Sequence, residues 1–473
     1  MSRVHLIGVC GTAMATLAAM LKQQGWIVTG SDVQAYPPMG QFLASQGIAP
    51  LIGYDAAHVP ADVDLAVIGN AVSRGNPEVE AVLDRRIRYA SLAETIREHF
   101  LWGRRTVVIA GTHGKTTTTS MTAWALVEAG ADPGFLVGGV PRNFDAGYRL
   151  GAGDLFVIEG DEYDSAYFDK TAKFLKYLPF VAVVGSLEFD HADIYDDIDA
   201  LTLAFRRFVG LVPHRGRLLL GADDPGARAL ADAAHCPVET FGFADDADWR
   251  AADVDYGPDR TAFDVRRAGA TIARVDLPLL GAFNVRNALA AIAAGAAAGV
   301  APDRLAAALR TFRGVRRRLE LSGVGRGVSL YDDFAHHPTA VRETVAALRA
   351  ASPTGRIWVL FEPRSATSCR RFFQSDYAAG LAGADEVVVA PVYRTAIPAE
   401  QRLDGARLAA DLTASGTRAR YVDSTDAIAA VVEAETRAGD VVVLMSNGDF
   451  GGLRGQLRER LGIVGSVAGE TSA

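Results

Sequence analysis

The run Arg105–Thr117 (RTVVIAGTHGKTT) constrains the fold more than any other part of the chain, because an apolar β-type stretch enters a glycine turn that delivers Lys115 and Thr116 to the start of a helical segment. A strand has to come in and a helix has to leave. Backbone N–H groups of such a turn, with the positive end of the helix, hold phosphate oxygens, while the lysine neutralises charge and the hydroxyl reaches a divalent cation. Gly111, Thr112, His113, Gly114, Lys115, Thr116 and Thr117 are therefore candidate ligands of a nucleoside triphosphate. The turn is one residue shorter than the general G-x-x-x-x-G-K-[ST] pattern, since Ile109 stands at the first glycine position. Met121, Trp124, Ala125 and Val127 give the following segment an apolar face.

At 473 residues the chain exceeds the size at which a single core stops growing, so two or three domains are expected. The net charge of −8, from 48 Lys and Arg against 56 Asp and Glu, argues against nucleic acid as a partner. Three dispersed cysteines, Cys10, Cys236 and Cys369, suit reduced thiols in a cytoplasm and offer no metal spacing. Val4–Cys10 reads as a strand rather than a targeting signal, because His5, Gly8, Gly11 and Thr12 break it. No apolar stretch reaches the ~18 to 20 residues that would span a bilayer. The expectation is a soluble, cytoplasmic monomer or weak homodimer without membrane contact.

Strand, glycine turn and helix alternate in three segments, the pattern of α/β folds with open parallel sheets that bind ligands at the carboxyl ends of strands. The expected domains are a Rossmann-like N-terminal domain at 1–102, a central P-loop domain at 103–314 and a Rossmann-like C-terminal domain at 315–473. In the first, β-like stretches are Val4–Gly8, Trp26–Gly30 and Asp64–Gly69, ahead of a polar helix at Ser91–Leu101. The turn GVCGTAM (8–14) follows the first stretch, and Asp32 follows the second, much as a dinucleotide fold places a ribose-reading acid. The third glycine of G-x-G-x-x-G is missing, and a nicotinamide-dependent oxidoreductase would leave the 111–117 turn without a role. The second segment has β-like stretches at Leu155–Glu159, Val181–Gly185 and Arg217–Gly221, and the third at Val328–Tyr331, Arg356–Phe361, Glu386–Ala390 and Asp440–Met445.

Polar motifs follow several of these strands. Glu159-Gly-Asp-Glu-Tyr-Asp164 offers carboxylates suited to Mg²⁺. His191 lies among acids in Glu188–Asp193, where Asp190 or Asp193 has the alternative of capping a helix. Asn284 and Asn287, three residues apart on one helical face, suit an adenine edge; Asn284 has the alternative of an N-cap. In Asp332-Asp333-Phe-Ala-His336-His337-Pro338, Asp333 suits ribose hydroxyls, a histidine suits a reacting centre and Pro338 suits a first helical position. Arg316–Arg318 is either a solvated basic face or a source of a guanidinium for phosphoryl transfer. Arg364, in Glu362–Thr367, offers a fork for a carboxylate, and Ser446 and Asn447 lie in the glycine loop after Met445; each loop has the alternative of a plain turn.

In this order, and over essentially the whole chain, Gly111–Thr117, Glu159–Asp164, Glu188–Asp193, Asn284–Asn287, Arg317–Glu320 and Asp332–Pro338 resemble the Mur ligase family. Within it, GVCGTAM (8–14), Tyr36–Met39, Gly69–Pro77, Phe334–Pro338, Glu362–Ser365 and Met445–Gly448 are similar to the branch that couples a preformed peptide. A close relative that adds L-alanine shares the sugar substrate and usually differs in the last two loops. The resemblance implies domains for a UDP-sugar, for ATP with Mg²⁺, and for an incoming amine. It implies that the lactyl carboxylate of UDP-N-acetylmuramate is joined, through an acyl phosphate, to the muropeptide L-alanyl-γ-D-glutamyl-meso-diaminopimelate in cell-wall recycling.

By position, the resemblance implies Lys115 on the β/γ-phosphates, Thr116 and Glu159 on one Mg²⁺ and His191 on a second. It implies Asn284, Asn287, Arg318 and Asp333 on the nucleotide, and His336 near the amine and the acyl phosphate. Gly11, Thr12, Asp32, Asn70 and Arg74 would face the sugar substrate, and Arg364, Ser446 and Asn447 the peptide. Two positions depart from the family pattern: Phe283 stands where a His is usual before Asn284, and Ser186 where an Asn is common before Glu188. A non-catalytic, ATP-gated muropeptide sensor would keep the phosphate turn and the sugar site. The retained Glu159, His191 and His336 argue for catalysis instead.

Overall fold

The computed structural model describes residues 1–190 and 194–464 and is a mixed α/β protein dominated by parallel sheets. It divides into two compact bodies. The first comprises Met1–Glu188, Ile198–Arg250 and Leu289–Ala308; the second comprises the described parts of Phe189–Asp197, Ala251–Ala288 and the chain from Leu309 onward.

In the first body, β1 (Arg3–Ile7), β2 (Ile27–Asp32), β3 (Leu51–Ile52), β4 (Leu65–Ile68) and β5 (Tyr89–Ser91) form an all-parallel sheet in the order β3-β2-β1-β4-β5. β1 and β4 are buried nearly throughout, as apolar runs in a sheet covered on both faces should be. Gly30 is needed for close approach, since a Cβ there would stand 2.8 Å from both the Leu6 carbonyl oxygen and Val9 Cβ.

A second sheet of this body contains β6 (Arg105–Ala110), β7 (Gly134–Leu136), β8 (Tyr148–Arg149) and β9 (Leu155–Glu159). A separate hairpin, β10 (Asp164–Ala166) with β11 (Asp169–Ala172), follows β9. The sheet continues with β12 (Pro179–Val184), β13 (Arg217–Gly221) and β14 (Val238–Gly242), in the order β14-β13-β12-β6-β9-β7-β8. β15 (Trp249–Tyr256) starts beside β14 at the Phe241–Trp249 pair.

The second body contains the antiparallel pair β16 (Thr261–Arg267) and β17 (Ala270–Leu277). Its main sheet is built from β18 (Glu320–Gly325), β19 (Val328–Asp333), β20 (Ile357–Phe361), β21 (Glu386–Val389), β22 (Arg418–Tyr421) and β23 (Val441–Met445). The order is β18-β19-β23-β20-β21-β22, parallel except at β18–β19. One face is covered by a cluster that includes Val341, Val345, Phe361, Tyr377 and Leu408, the other by one that includes Trp358, Ile428, Val432 and Leu453.

The expected strands all appear, most shifted by one to three residues at an end. Missing from the sequence reading are β3, β5, β7, β8, β10, β11, β14 to β18 and β22, most of them hairpin or edge strands. In β16 the two-residue period was legible, since Thr261, Phe263 and Val265 are buried while their neighbours are not. β22 (RARY) carries two arginines, is fully buried at no position and has no apolar run to announce it. No helix among the described residues is long and apolar enough to cross a membrane.

Because Gly30 faces backbone and a neighbouring Cβ, Gly30→Ala should lower stability by about 1–3 kcal/mol through overpacking. Calorimetry of the purified variant checks this, and an unchanged melting temperature would contradict it.

Candidate active site

The phosphate turn is shaped by three neighbouring parallel strands, β12, β6 and β9. Gly111 (φ +117°) passes so close to the loop after β12 that a Cβ would lie 2.9 Å from the Gly185 nitrogen. Thr112 N–H donates to the Ser186 carbonyl at 2.9 Å, and Glu188 N–H donates to Thr112 Oγ1 at 2.8 Å. Ser186 therefore has a definite task, because its hydroxyl also accepts from His113 N–H at 3.2 Å. His113 Nε2 meets Glu188 Oε2 at 3.1 Å.

Gly114, in the left-handed region at φ 78°, starts the helix Lys115–Glu128. That helix is buried from Thr116 to Ala123, and its hydroxyls are satisfied by the preceding turn: Thr119 donates to the Lys115 carbonyl, Ser120 to Thr116 and Thr122 to Thr118, at 2.7–2.8 Å. Lys115 Nζ donates to the Gly111 carbonyl at 2.7 Å and to Glu162 Oε1 at 2.8 Å. Burial by itself would lower the Lys115 pKa, but the Glu162, Asp161 and Glu159 carboxylates outweigh it and hold the ammonium above the usual lysine range.

Thr116 Oγ1 donates to Glu159 Oε1 at 2.8 Å, and Gly138 N–H donates to Glu159 Oε2 at 2.7 Å. A hydroxyl beside a carboxylate at the mouth of a phosphate cradle is a donor set of hard oxygens, which fits Mg²⁺. Asp161 is paired with Lys173 Nζ at 2.7 Å. His191, the other expected metal ligand, lies outside the described residues.

The first sheet repeats the arrangement at the ends of β2, β1 and β4. Gly8 and Val9 N–H both donate to the Ser31 carbonyl at 2.9 Å, and Cys10 N–H donates to Asp32 Oδ2 at 2.8 Å. Asp32 Oδ1 accepts from its own neighbour Val33 N–H at 2.7 Å, so one oxygen of the expected sugar-facing acid holds the glycine turn and both are engaged by backbone. Gly11 precedes the helix Thr12–Gln23 with no side-chain cap, and Thr12 is exposed. Asn70 Nδ2 donates to Asp164 Oδ1 at 2.8 Å, tying the end of β4 to the acidic loop after β9. Arg74 makes an exposed two-point pair with Glu80, whose pKa is pushed down to about 2 by the Arg74 hydrogen bonds and Gly75 N–H.

In the second body the loops after β19, β23 and β20 come together. Arg317 (φ 60°) and Leu319 (φ 48°) have left-handed backbones, a strain of order 1–3 kcal/mol each. Two buried carboxylates hold them: Glu320 Oε2 accepts from Arg317 N–H at 2.9 Å, and Asp333 accepts from Leu319 N–H. Arg316–Arg318 is thus a tight turn rather than a solvated face, with the Arg318 guanidinium 4.4 Å from the Phe334 ring centroid. Asp333 also accepts from Ala335 N–H at 2.7 Å, so its oxygens organise backbone. Burial pushes its pKa up to about 6, against the pull of Ala335 N–H and Arg318.

His337 caps the helix that Pro338 opens, and His336 Nε2 faces Asp190 Oδ2 at 3.8 Å. Asp190 is buried and accepts from Thr367. Asn284 and Asn287 do share a face, since Asn287 Nδ2 donates to Asn284 Oδ1 at 3.2 Å, and Asn284 Nδ2 donates to the Leu280 carbonyl at 2.8 Å. Phe283 packs against the apolar cluster around Leu280 and Leu319.

Arg364 and the 446–448 loop form one unit. A Cβ at Gly448 would lie 2.0 Å from Arg364 Nε, so the guanidinium lies directly against the Gly448 backbone. Arg364 stacks 3.8 Å from the Tyr393 centroid and reaches Glu362 Oε1 at 3.4 Å. Ser446 donates to Glu362 Oε2, and Arg317 donates to the carbonyls of Ser446 and Gly448. Asn447 Oδ1 is buried with no hydrogen-bond partner among the described residues. Tyr393 was not foreseen: its loop carries no motif.

A phosphate cradle with an acidic, hydroxyl-bearing edge, together with loops built for polar substrate groups, defines an ATP-dependent ligase architecture. The family models agree: the Mur ligase family catalytic domain matches residues 3–101, the Mur ligase middle domain 109–295, and the Mur ligase glutamate ligase domain 317–448. The chain belongs to the Mur ligase family. It is 42% identical to the UDP-N-acetylmuramate–L-alanyl-γ-D-glutamyl-meso-2,6-diaminoheptandioate ligase of Escherichia coli, covering 97% of this chain and 98% of the relative. It is 38% identical to the UDP-N-acetylmuramate–L-alanine ligase of Paenarthrobacter aurescens over 95% of each chain. A solved structure of a murein peptide ligase from Psychrobacter arcticus superimposes with a TM-score of 0.72 at 34% identity, covering 99% of this chain and 100% of that one.

Removing Lys115 also takes from buried Glu162 the ammonium paired with it at 2.8 Å. Lys115→Ala should therefore abolish ligation and cost about 3–5 kcal/mol of stability. The double variant Lys115→Ala/Glu162→Gln should regain stability but not turnover. Recovered turnover above about a tenth of wild type, a deficit under ~1.4 kcal/mol, would contradict the cradle assignment.

For Asp333, a pKa raised in the folded state means that folding favours the protonated acid. That stability is complete below ~4, the ordinary carboxylate value, and is lost as pH rises through about 6. Asp333→Asn cannot ionise, so its melting temperature relative to wild type should improve between pH ~4 and ~7. A difference that stays flat over that interval would contradict the assignment.

Proposed function

We propose that this chain is an ATP- and Mg²⁺-dependent ligase that joins the lactyl carboxylate of UDP-N-acetylmuramate to the amine of L-alanyl-γ-D-glutamyl-meso-diaminopimelate, returning a wall peptide to peptidoglycan synthesis. Residues 1–102 are assigned to the UDP-sugar, 103–314 to ATP and 315–473 to the incoming amine. The observation that carries the peptide reading is the unit of Glu362, Arg364, Tyr393 and Ser446–Gly448. The guanidinium fork suits a carboxylate on the distal part of the peptide, a group that free L-alanine lacks.

In this reading Gly111–Thr117 cradle the triphosphate, with Lys115 on the β/γ-phosphates and Thr116 and Glu159 as ligands of Mg²⁺. The metal would supply counter-charge between phosphate oxygens and the approaching carboxylate. Positioning and charge neutralisation supply most of the rate, because phosphoryl and acyl transfer here need no covalent bond to the protein. The lactyl carboxylate oxygen bonds to the γ-phosphorus as ADP departs. The peptide amine then attacks the acyl carbon, and phosphate leaves with the oxygen it received. His336, held by its Nδ1 contact to the Phe334 carbonyl at 3.0 Å and facing Asp190, is assigned to the amine's proton. Asn284, Asn287 and Arg318 are assigned to the nucleotide; Asp333, whose oxygens hold Leu319 and Ala335, acts on it through that turn as well as through any ribose contact. Gly11, Thr12, Asn70 and Arg74 are assigned to the UDP-sugar, with Asp32 shaping their turn.

Phosphate release with UDP-N-acetylmuramate and either amine tests the reading. Wild type should prefer the tripeptide over L-alanine, and Arg364→Ala should raise the KM for tripeptide more than it lowers kcat, by a loss of roughly 2–5 kcal/mol if the contact is buried. Activity with L-alanine should barely change. Preference for L-alanine, or equal loss with both amines, would move the chain to the alanine-adding branch.

A further inference from the structure

A cavity of about 420 Å³ in the second body, outside the residues assigned above, is lined by Phe189, Asp196, Arg370, Arg371, Phe372 and Glu400 among others. Its cations have unused donors. Arg370 Nη1 donates to Gln401 Oε1 at 3.1 Å, but its Nε is buried with no partner among the described residues. The Arg371 side chain is exposed and has no hydrogen-bond or ionic partner among them, although its backbone N–H is fixed on the Gln401 carbonyl at 2.8 Å. The carboxylates of Asp196 and Glu400 are likewise without partners among the described residues.

The wall is aromatic: Phe189 and Phe372 meet edge to face with centroids 6.4 Å apart, and Phe372 is 73% exposed. The next residue after Phe189 is Asp190, which accepts from Thr367 and faces His336. Phe189 thus links a wall of the cavity along the chain to the cluster assigned to the amine.

Two guanidiniums and two carboxylates around one space match neither a lone anion nor a lone cation, since each would meet two like charges. They match a zwitterion. We propose that this cavity is a specificity pocket for the free aminocarboxylate end of the peptide substrate, Arg370 and Arg371 taking the carboxylate and Asp196 and Glu400 the ammonium. This rests on the peptide reading above. In that reading the terminal D-centre of meso-diaminopimelate is such a group, and the Arg364 unit is left for another carboxylate of the same peptide.

The test is steady-state kinetics of wild type, Arg371→Ala and Glu400→Gln with two peptides: L-alanyl-γ-D-glutamyl-meso-diaminopimelate, and L-alanyl-γ-D-glutamyl-L-lysine, which keeps the terminal ammonium but lacks the terminal carboxylate. Both side chains are exposed, so the variants should fold. Arg371→Ala should raise the KM for the diaminopimelyl peptide about tenfold, with kcat within about twofold, and leave the lysyl peptide within about twofold. Glu400→Gln should weaken both peptides. An equal effect of Arg371→Ala on the two peptides, or no effect on either, overturns the pocket while leaving the peptide reading standing. Wild type that ligates neither peptide overturns both.

Discussion

The chemistry of this protein depends on one constraint, the parallel pairing of three adjacent strands in each sheet. β2, β1 and β4 in the first sheet, β12, β6 and β9 in the second, and β19, β23 and β20 in the third all run the same way. Their carboxyl ends therefore lie side by side, and most of the loops singled out by their chemistry leave one of those ends, the exceptions being Asn284–Asn287 after β17 and Arg316–Arg318 before β18. Reversing any one of these strands would send its loop to the opposite edge.

Parallel strands bring the loops together but do not shape them. Shape comes from side-chain oxygens that accept backbone N–H groups: Asp32 from Cys10, Glu159 from Gly138, Asp333 from Leu319 and Ala335, Glu320 from Arg317. A buried loop amide without such a partner would cost about 1–3 kcal/mol. The acids that look like ligands in the sequence are in several cases the scaffold of the turn that would meet the ligand. Lys115 is the counterpart on the cationic side, poised over Gly111 by its own hydrogen bond and by Glu162.

Much of this was legible in the sequence, because a buried parallel strand must be an apolar run and a phosphate turn must be glycine, lysine and threonine. β9 and β13 were located to the residue for that reason. The edges were not, since β22 and β8 bury little and carry no period. The pairing of Arg364 with Gly448 could not be read either: 84 residues separate the two loops, and the contact follows from strand order rather than from either motif. The same holds for Thr367 with Asp190, and for Tyr393 beneath Arg364. Ser186 and Phe283, which depart from the family pattern, proved to have structural partners that spacing does not reveal, His113 N–H for the first and the apolar cluster around Leu319 for the second.

The central claim is that the sugar carboxylate is activated by phosphoryl transfer and then captured by the peptide amine. UDP-N-acetylmuramate labelled with ¹⁸O in its lactyl carboxylate tests it most directly, with ATP and L-alanyl-γ-D-glutamyl-meso-diaminopimelate supplied and the released phosphate analysed by mass spectrometry. One ¹⁸O atom is expected in each phosphate formed, in step with ligated product. Unlabelled phosphate accompanying product, or label transfer and ligation with L-alanine in preference to the tripeptide, would contradict it.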